Sequence, residues 1–158
     1  MSKISNCLWF DDQAEAAAIF YVSLFKNSKI LNVSRYGEGA PLPAGTVLTV
    51  DFELDGTKFI ALNGGPMFTF SEAVSFSIDC ADQAEVDHFW NALTADGGQE
   101  SQCGWLKDKF GVSWPVVPSA MPGLISGPDP DGAGRAMAAM MGMKKLDIAE
   151  LQKAYDGE

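Results

Sequence analysis

The word D-Q-A-E occurs twice in this chain, at 12–15 and 82–85, and its surroundings repeat with it. Each copy follows a short apolar run, at 6–10 and 74–80. Each opens with an Asp three residues before a Glu, where a carboxylate caps the free N–H groups of a helix start. Apolar residues then recur at helical spacing: Ala17, Phe20, Tyr21 and Leu24 in the first copy, Val86, Phe89, Trp90 and Leu93 in the second. A strand followed by a helix with one buried stripe has been duplicated, so the chain is expected to fold as two related modules.

The intervening residues complete those modules. Strands are predicted over 29–36, 46–54 and 57–63, with D-G at 55–56 as a hairpin turn. The middle strand alternates, placing Leu48, Val50, Phe52 and Leu54 on one face and Val47, Thr49, Asp51 and Glu53 on the other. The loop E-G-A-P-L-P-A-G at 38–45 and the turn N-G-G-P at 63–66 punctuate the first half. In the second half the helix ends at Gly97-Gly98, 99–102 makes a short strand, and 103–117 is a hairpin turning near 109–111. The expected fold is α+β: two tandem βαβββ modules, about 1–66 and 67–118 of one domain, forming a curled mixed sheet with a cavity. Residues 119–158 are read as a linker, rich in Pro, Gly and Ser to about residue 134, and a C-terminal helical tail. In that tail Met137, Met140 and Met141 form one stripe, and Asp147 with Glu150 repeats the capping pattern before Ile148, Leu151 and Tyr155. Helices this short need a surface to dock on, in the same chain or in a second subunit. A homodimer is expected, with the tail structural or dimer-stabilising.

With 158 residues, 47% of them hydrophobic, the chain can bury a core without metals or disulfides. Its 11 basic and 21 acidic residues give a net charge of −10, which repels phosphate backbones and anionic lipid surfaces, so neither nucleic acid nor a membrane is an expected partner. The N-terminal run is too short and polar for a signal peptide and no apolar run reaches a membrane span, so a cytoplasmic location is expected. Cys7, Cys80 and Cys103 are odd in number and lack metal-type spacing, as buried reduced thiols would. The one histidine, His88, lies in the second helix and is expected to be solvent-facing or partly buried rather than a ligand or general base.

Several words occur in a characteristic order: C-L-W-F-D-D at 7–12, A-L-N-G-G-P at 61–66, V-S-F-S-I-D-C at 74–80 and C-G-W-L-K-D-K-F-G-V-S-W at 103–114. Together with the duplicated unit, they resemble the PhnB-like branch of the vicinal oxygen chelate superfamily, which has the glyoxalase/bleomycin resistance fold. That branch is often labelled a 3-demethylubiquinone-9 3-methyltransferase family. The resemblance covers about 3–118, with K-K-L-D-I at 144–148 also typical. It implies a U-shaped cavity and, in metal-dependent members, His and Glu ligands for a divalent ion. Here the corresponding positions fall near Ser5 or Asn6, Ala73 or Ser75, and Pro115, none a usual ligand, so no metal and no cofactor is expected. Methyl transfer with the usual donor calls for a Gly-rich turn joining a strand to a helix, whereas Gly64-Gly65 and Gly97-Gly98 read as simple turns.

Strand parity carried over from the superfamily makes Ser5, Cys7 and Trp9, then Ser75 and Ser77, then Trp105, Ser113 and Pro115 candidates to line the cavity. Asn63, at the closing turn, joins them. Asp51 and Glu53 share a strand face and could bind a cation or serve as acid and base. Trp90 and Trp114 are assigned to the core. The resulting expectation is a small-molecule-binding protein with an unidentified ligand and no metal. The alternatives are an enzyme of the same superfamily with an atypical metal site or the labelled methyltransferase activity, and a structural or regulatory dimer without ligand.

Overall fold

The structure, a computed structural model, describes residues 2–158 and divides into two compact units, one running to Phe70 and the other over Ser71–Glu158. The first contains β1 (Asn6–Phe10), α1 (Ala14–Leu24), β2 (Lys29–Arg35), β3 (Val47–Leu54) and β4 (Thr57–Asn63). Its four strands form one mixed sheet in the order β1-β4-β3-β2, with β1 and β4 parallel and the other pairs antiparallel. The second unit repeats the plan with β5 (Ile78–Cys80), α2 (Gln83–Thr94), β6 (Gln99–Glu100), β7 (Trp105–Lys107) and β8 (Ser113–Pro118), in the order β5-β8-β7-β6. The expected α+β class and the two βαβββ modules are both present, their strands distributed as two four-stranded sheets. The first unit runs on to Phe70 because the Phe68 and Phe70 rings pack edge-on against Trp9 and Phe10, 5.0 and 5.2 Å between centroids.

The two copies of D-Q-A-E play different parts. Asp82 accepts from the Glu85 N–H at 2.9 Å and Glu85 reaches back to the Ala81 N–H at 2.7 Å, so the second helix starts as the sequence predicts. The first does not. Its N-cap position is Gln13, with no side-chain cap, and the Ala14 N–H is instead satisfied by Asn63 Oδ1 at 2.8 Å. Asn63 is buried and its amide also donates to the Val47 carbonyl at 3.1 Å, tying the end of β4 to both α1 and β3. The expected helical stripes differ in the same way. Val86, Phe89, Trp90 and Leu93 are buried as expected, whereas α1 buries Ala14, Ala17, Ala18 and Tyr21, leaving Phe20 and Leu24 only half-buried.

In β3, Val50, Phe52 and Leu54 face α1 as their alternation requires. Val47 rather than Leu48 is buried at the strand's start, because Arg35 pairs with Val47 and Ser34 with Thr49, a bulge that skips Leu48. The segment 74–80 is strand only over its last three residues, preceded by an isolated bridge from Ser75 to Ser113.

The stretch read as a linker contains two helices, α3 (Met121–Ile125) and the start of α4 (Pro130–Met141), with α5 (Ile148–Asp156) closing the chain. Proline occupies a first-turn position in both α3 and α4, where its missing N–H costs nothing. Met121, Leu124, Ala136, Leu146 and Leu151 form a core with Met140 and Met143 packed against it, while Met137 and Met141 are exposed, so the buried face is not the predicted methionine stripe. Gln83 holds this tail to α2, donating to the Leu146 carbonyl at 3.0 Å and accepting from the Ile148 N–H at 2.9 Å. Lys145 adds an ion pair to Asp87 at 2.9 Å, which keeps that carboxyl below its usual range. No helix among the described residues is long and apolar enough to cross a membrane.

Asn63→Ala strands two buried backbone groups and is expected to cost about 1–3 kcal/mol. Asp82→Ala is expected to cost about 1 kcal/mol, and Asp12→Ala to stay within about 0.5 kcal/mol of wild type. Urea unfolding of the three variants measures that order; equal losses for Asp12 and Asp82 would contradict the capping asymmetry.

Candidate functional site

Each sheet buries one face under its own helix and leaves the other uncovered by it. On the second sheet the helix side carries Leu106, paired with Trp114, and Val116, paired with Ile78. Trp114 is buried, its indole N–H bonded to Asp108 Oδ2 at 2.8 Å, and Phe76 lies 5.7 Å from its ring. Trp90 also belongs to this core, donating to Glu100 at 2.9 Å. Both tryptophans are where the sequence places them.

The other face of this sheet holds a continuous cross-strand row. Gln99 pairs with Lys107, Lys107 with Ser113, and Ser113 bridges to Ser75. Side chains directly opposite one another in a ladder share a face with Cβ atoms about 4.5–5.5 Å apart, so these four residues stand side by side across β6, β7, β8 and the segment leading into β5. Two positions along, Trp105 pairs with the buried Pro115, and Ser77 sits exposed two residues beyond Ser75. Glu72, Gln99, Ser101, Trp105, Lys107 and Ser113 line a cavity of about 130 Å³ here, with Leu106 and Glu100 completing its wall. Lys107 pairs with the Glu72 carboxylate, which is thereby held below the usual carboxylate range.

Ser113 is the unusual member. It is 1% exposed, and its hydroxyl has no hydrogen-bond partner in the protein although it borders this cavity. A buried hydroxyl without a partner costs about 1–3 kcal/mol. Sequence alternation placed Ser113 on this face; that its hydroxyl is unpaired depends on cross-strand neighbours, Lys107 and Ser75, which no local pattern reveals.

On the first sheet the corresponding face carries two rows, Cys7, Ile60, Asp51 and Asn32, then Trp9, Leu62, Thr49 and Ser34, the last two joined by a 2.5 Å hydroxyl contact. Cys7 is exposed, and Trp9 and Ser5 are half-buried. The Trp9 indole N–H donates to the Gly65 carbonyl at 2.9 Å and its ring lies over Gly64 so closely that a Cβ there would come within 2.4 Å. Trp9 thus seats the N-G-G-P turn as well as walling the sheet. Asn63, expected at the cavity, is instead the buried clamp between α1 and β3. Asp51 lies between Ile60 and Asn32, and Glu53 opposite Lys58 and Lys29, so the two carboxylates are set among different neighbours.

Among the described residues no three His, Cys, Asp or Glu side chains converge as a metal site. His88 is on the exposed side of α2 against the Phe89 ring. Ser5, Asn6, Ala73, Ser75 and Pro115, the residues near which the resemblance sets the superfamily's ligands, are not of the types that usually hold a divalent cation. Neither glycine pair joins a strand end to a helix start: Gly64-Gly65 follows β4 into a loop, and Gly97-Gly98 follows α2 and precedes β6.

Residues 2–117 match the model of the family described as 3-demethylubiquinone-9 3-methyltransferase. The chain belongs to this family. It is similar in structure to a PhnB protein from Bacillus cereus, itself described as a putative 3-demethylubiquinone-9 3-methyltransferase. The two share 35% identity and a TM-score of 0.69 over 75% of this chain and 100% of that one. A protein from Pseudomonas aeruginosa is 20% identical with a TM-score of 0.62, over 75% of this chain and 98% of that one. The fosfomycin resistance protein FosX from Listeria monocytogenes is 12% identical with a TM-score of 0.51, over 75% of this chain and 93% of that one. At such identities the last two speak for the fold alone. That fold is the glyoxalase/bleomycin resistance type, and the chain lies in the PhnB-like branch of the vicinal oxygen chelate superfamily. No curated protein matches the chain significantly.

Burial and neighbouring carboxylates push the Cys80 thiol up to about 12, so it stays protonated throughout the neutral range and thiolate chemistry at this position is suppressed. Iodoacetamide at pH 8 is therefore expected to leave Cys80 unmodified in the native protein and to label it once the chain is unfolded, as peptide mass spectrometry would show. Gly64→Ala is expected to dislodge the Trp9 ring and shift its fluorescence to the red; an unchanged spectrum would mean the turn yields instead.

Proposed function

We propose that this protein binds a small molecule on the face of its second sheet turned away from α2, without a divalent ion. The observation that carries this is the buried, unpartnered hydroxyl of Ser113, a residue that lines one cavity with Trp105 and Lys107. A well-packed fold keeps an unpaired hydroxyl at this cost where something else satisfies it, and a ligand seated against the sheet does so. The surrounding residues suit such a ligand, since Trp105, Lys107, Gln99 and Ser101, which line the same small concavity, include an aromatic ring, a cation, an amide and a hydroxyl. The volume of about 130 Å³ is below the roughly 300 Å³ at which drug-sized sites begin, which favours a compact ligand.

The metal-free reading rests on the donor set. A catalytic ion calls for about three nitrogen or carboxylate donors, and serine, asparagine, alanine and proline occupy the positions in question. Methyl transfer is not proposed, since neither glycine pair has the strand-to-helix setting that the usual donor requires.

A thermal-shift and tryptophan-fluorescence screen of chelator-treated protein against small polar metabolites tests the reading. A ligand at 100 times its dissociation constant is expected to stabilise by about 2.7 kcal/mol. Ser113→Ala is expected to leave the unliganded protein as stable as wild type or slightly more so, because an unsatisfied hydroxyl is removed, while weakening the ligand response. A requirement for added Mn, Ni, Zn or Mg, or a large loss of unliganded stability in Ser113→Ala, would count against it.

A further inference from the structure

Lys107 is the one cation among the residues lining the cavity, and its backbone is fixed in the middle of the sheet by ladders to both β6 and β8. Its partner is held quite differently. Glu72 belongs to the segment 71–74, every residue of which is exposed, ahead of the Ser75 bridge. The lysine side chain is 34% exposed and the glutamate side chain 63%, so the carboxylate is the more solvated half of the pair. An ion pair this open to solvent contributes little, and displacing the carboxylate from the ammonium is correspondingly easy. The same carboxylate leaves Ser113 Oγ, on the neighbouring strand, unsatisfied. The other acidic residue of the wall, Glu100, is engaged by the Trp90 indole.

Resting on the binding reading above, we propose that the ligand is a small organic monocarboxylate, and that Glu72 is an internal surrogate for its carboxylate, moving aside when the ligand arrives. The incoming carboxylate pairs one oxygen with Lys107 and accepts a hydrogen bond from the Ser113 hydroxyl with the other, and the body of the ligand lies against Trp105. A group fixed on strands β7 and β8 thus exchanges an anion offered from a loop for one offered in solution. Multiply charged anions are disfavoured, because the whole chain carries a net charge of −10 and Glu72 lines the cavity.

The full-length protein, titrated with benzoate, with its neutral counterpart benzamide and with inorganic phosphate, and followed by tryptophan fluorescence and calorimetry, decides this. Glu72→Gln keeps the side chain's shape and removes the competing charge, and is expected to raise benzoate affinity by up to about fivefold. Lys107→Met is expected to weaken it by about tenfold or more, with Lys107→Arg retaining most of it. Benzamide affinity is expected to be indifferent to Glu72→Gln. Benzoate binding that is unchanged or weakened by Glu72→Gln, or phosphate binding better than benzoate, overturns the surrogate role. If benzamide binds and loses affinity in Ser113→Ala while benzoate does not bind even to Glu72→Gln, the binding site stands and the carboxylate assignment falls. Silence of every probe with every variant, each folded by circular dichroism, removes both.

Discussion

The parallel pairing of the first and last strand of each module is the constraint from which the rest follows. In the first unit β1 lies at one edge of the sheet and β2 at the other, so the chain leaving β1 must cross the full width before it can continue. It does so as α1, and α2 makes the same crossing in the second unit. One helix suffices to cover one face of four strands and no second helix is inserted between the remaining strands, which follow each other antiparallel. Parity then divides every strand between a helix-covered side and an uncovered one. That Gln99, Lys107, Ser113 and Ser75 stand abreast is a consequence of pairing register, since the four come from separate segments of unequal length.

Features with a local period were legible in the sequence. The helical spacing of Val86, Phe89, Trp90 and Leu93, the alternation through Val50, Phe52 and Leu54, and the Asp82 and Asp147 caps all describe interactions spanning a few residues, and all are present. What escaped depends on residues far apart or on composition that misleads. The Ala14 N–H at the start of α1 is satisfied by Asn63, 49 residues away, and not by the adjacent Asp12 that local spacing favours. Pro, Gly and Ser concealed α3 and α4, although Pro130 at a first-turn position is a helix signal in its own right. Gly132 sits inside α4 because a Cβ there would come within 2.8 Å of the Tyr155 carbonyl, a close approach between helices that propensity alone does not register.

Duplication supplied two copies of one plan, and they have since been put to different uses. Gln83 fastens the C-terminal helices to α2 through both ends of its amide, while its counterpart Gln13 is only the N-cap residue of α1. The uncovered faces have diverged as well. The first combines Ile60 and Leu62 with Cys7, Trp9 and a single row carboxylate, Asp51, and Trp9 commits its indole N–H to the Gly65 carbonyl. The second places a cation and an unpaired hydroxyl in adjacent ladder positions. Family membership describes the shared plan. The chemistry has to be read from the face, which is why a methyltransferase label and a surface of serine, lysine and tryptophan need not agree.

A hydroxyl buried without a partner is a poor way to stabilise a sheet, since alanine or valine at the same position would fill the space and avoid about 1–3 kcal/mol of desolvation. Elsewhere in this unit comparable groups are fully engaged. Asp108, equally buried, takes the Phe110 and Val112 N–H groups on one oxygen and the Trp114 indole on the other, and so builds the turn between β7 and β8. That turn fixes the register in which Ser113 faces Lys107, so the satisfied polar residue positions the unsatisfied one. The two sides of the same hairpin differ in this way. Asp108 and Trp114 secure its geometry from the helix side, and Ser113 and Lys107 carry unused bonding capacity on the other, where Glu72 from an exposed loop is the only carboxylate paired with the lysine among the described residues.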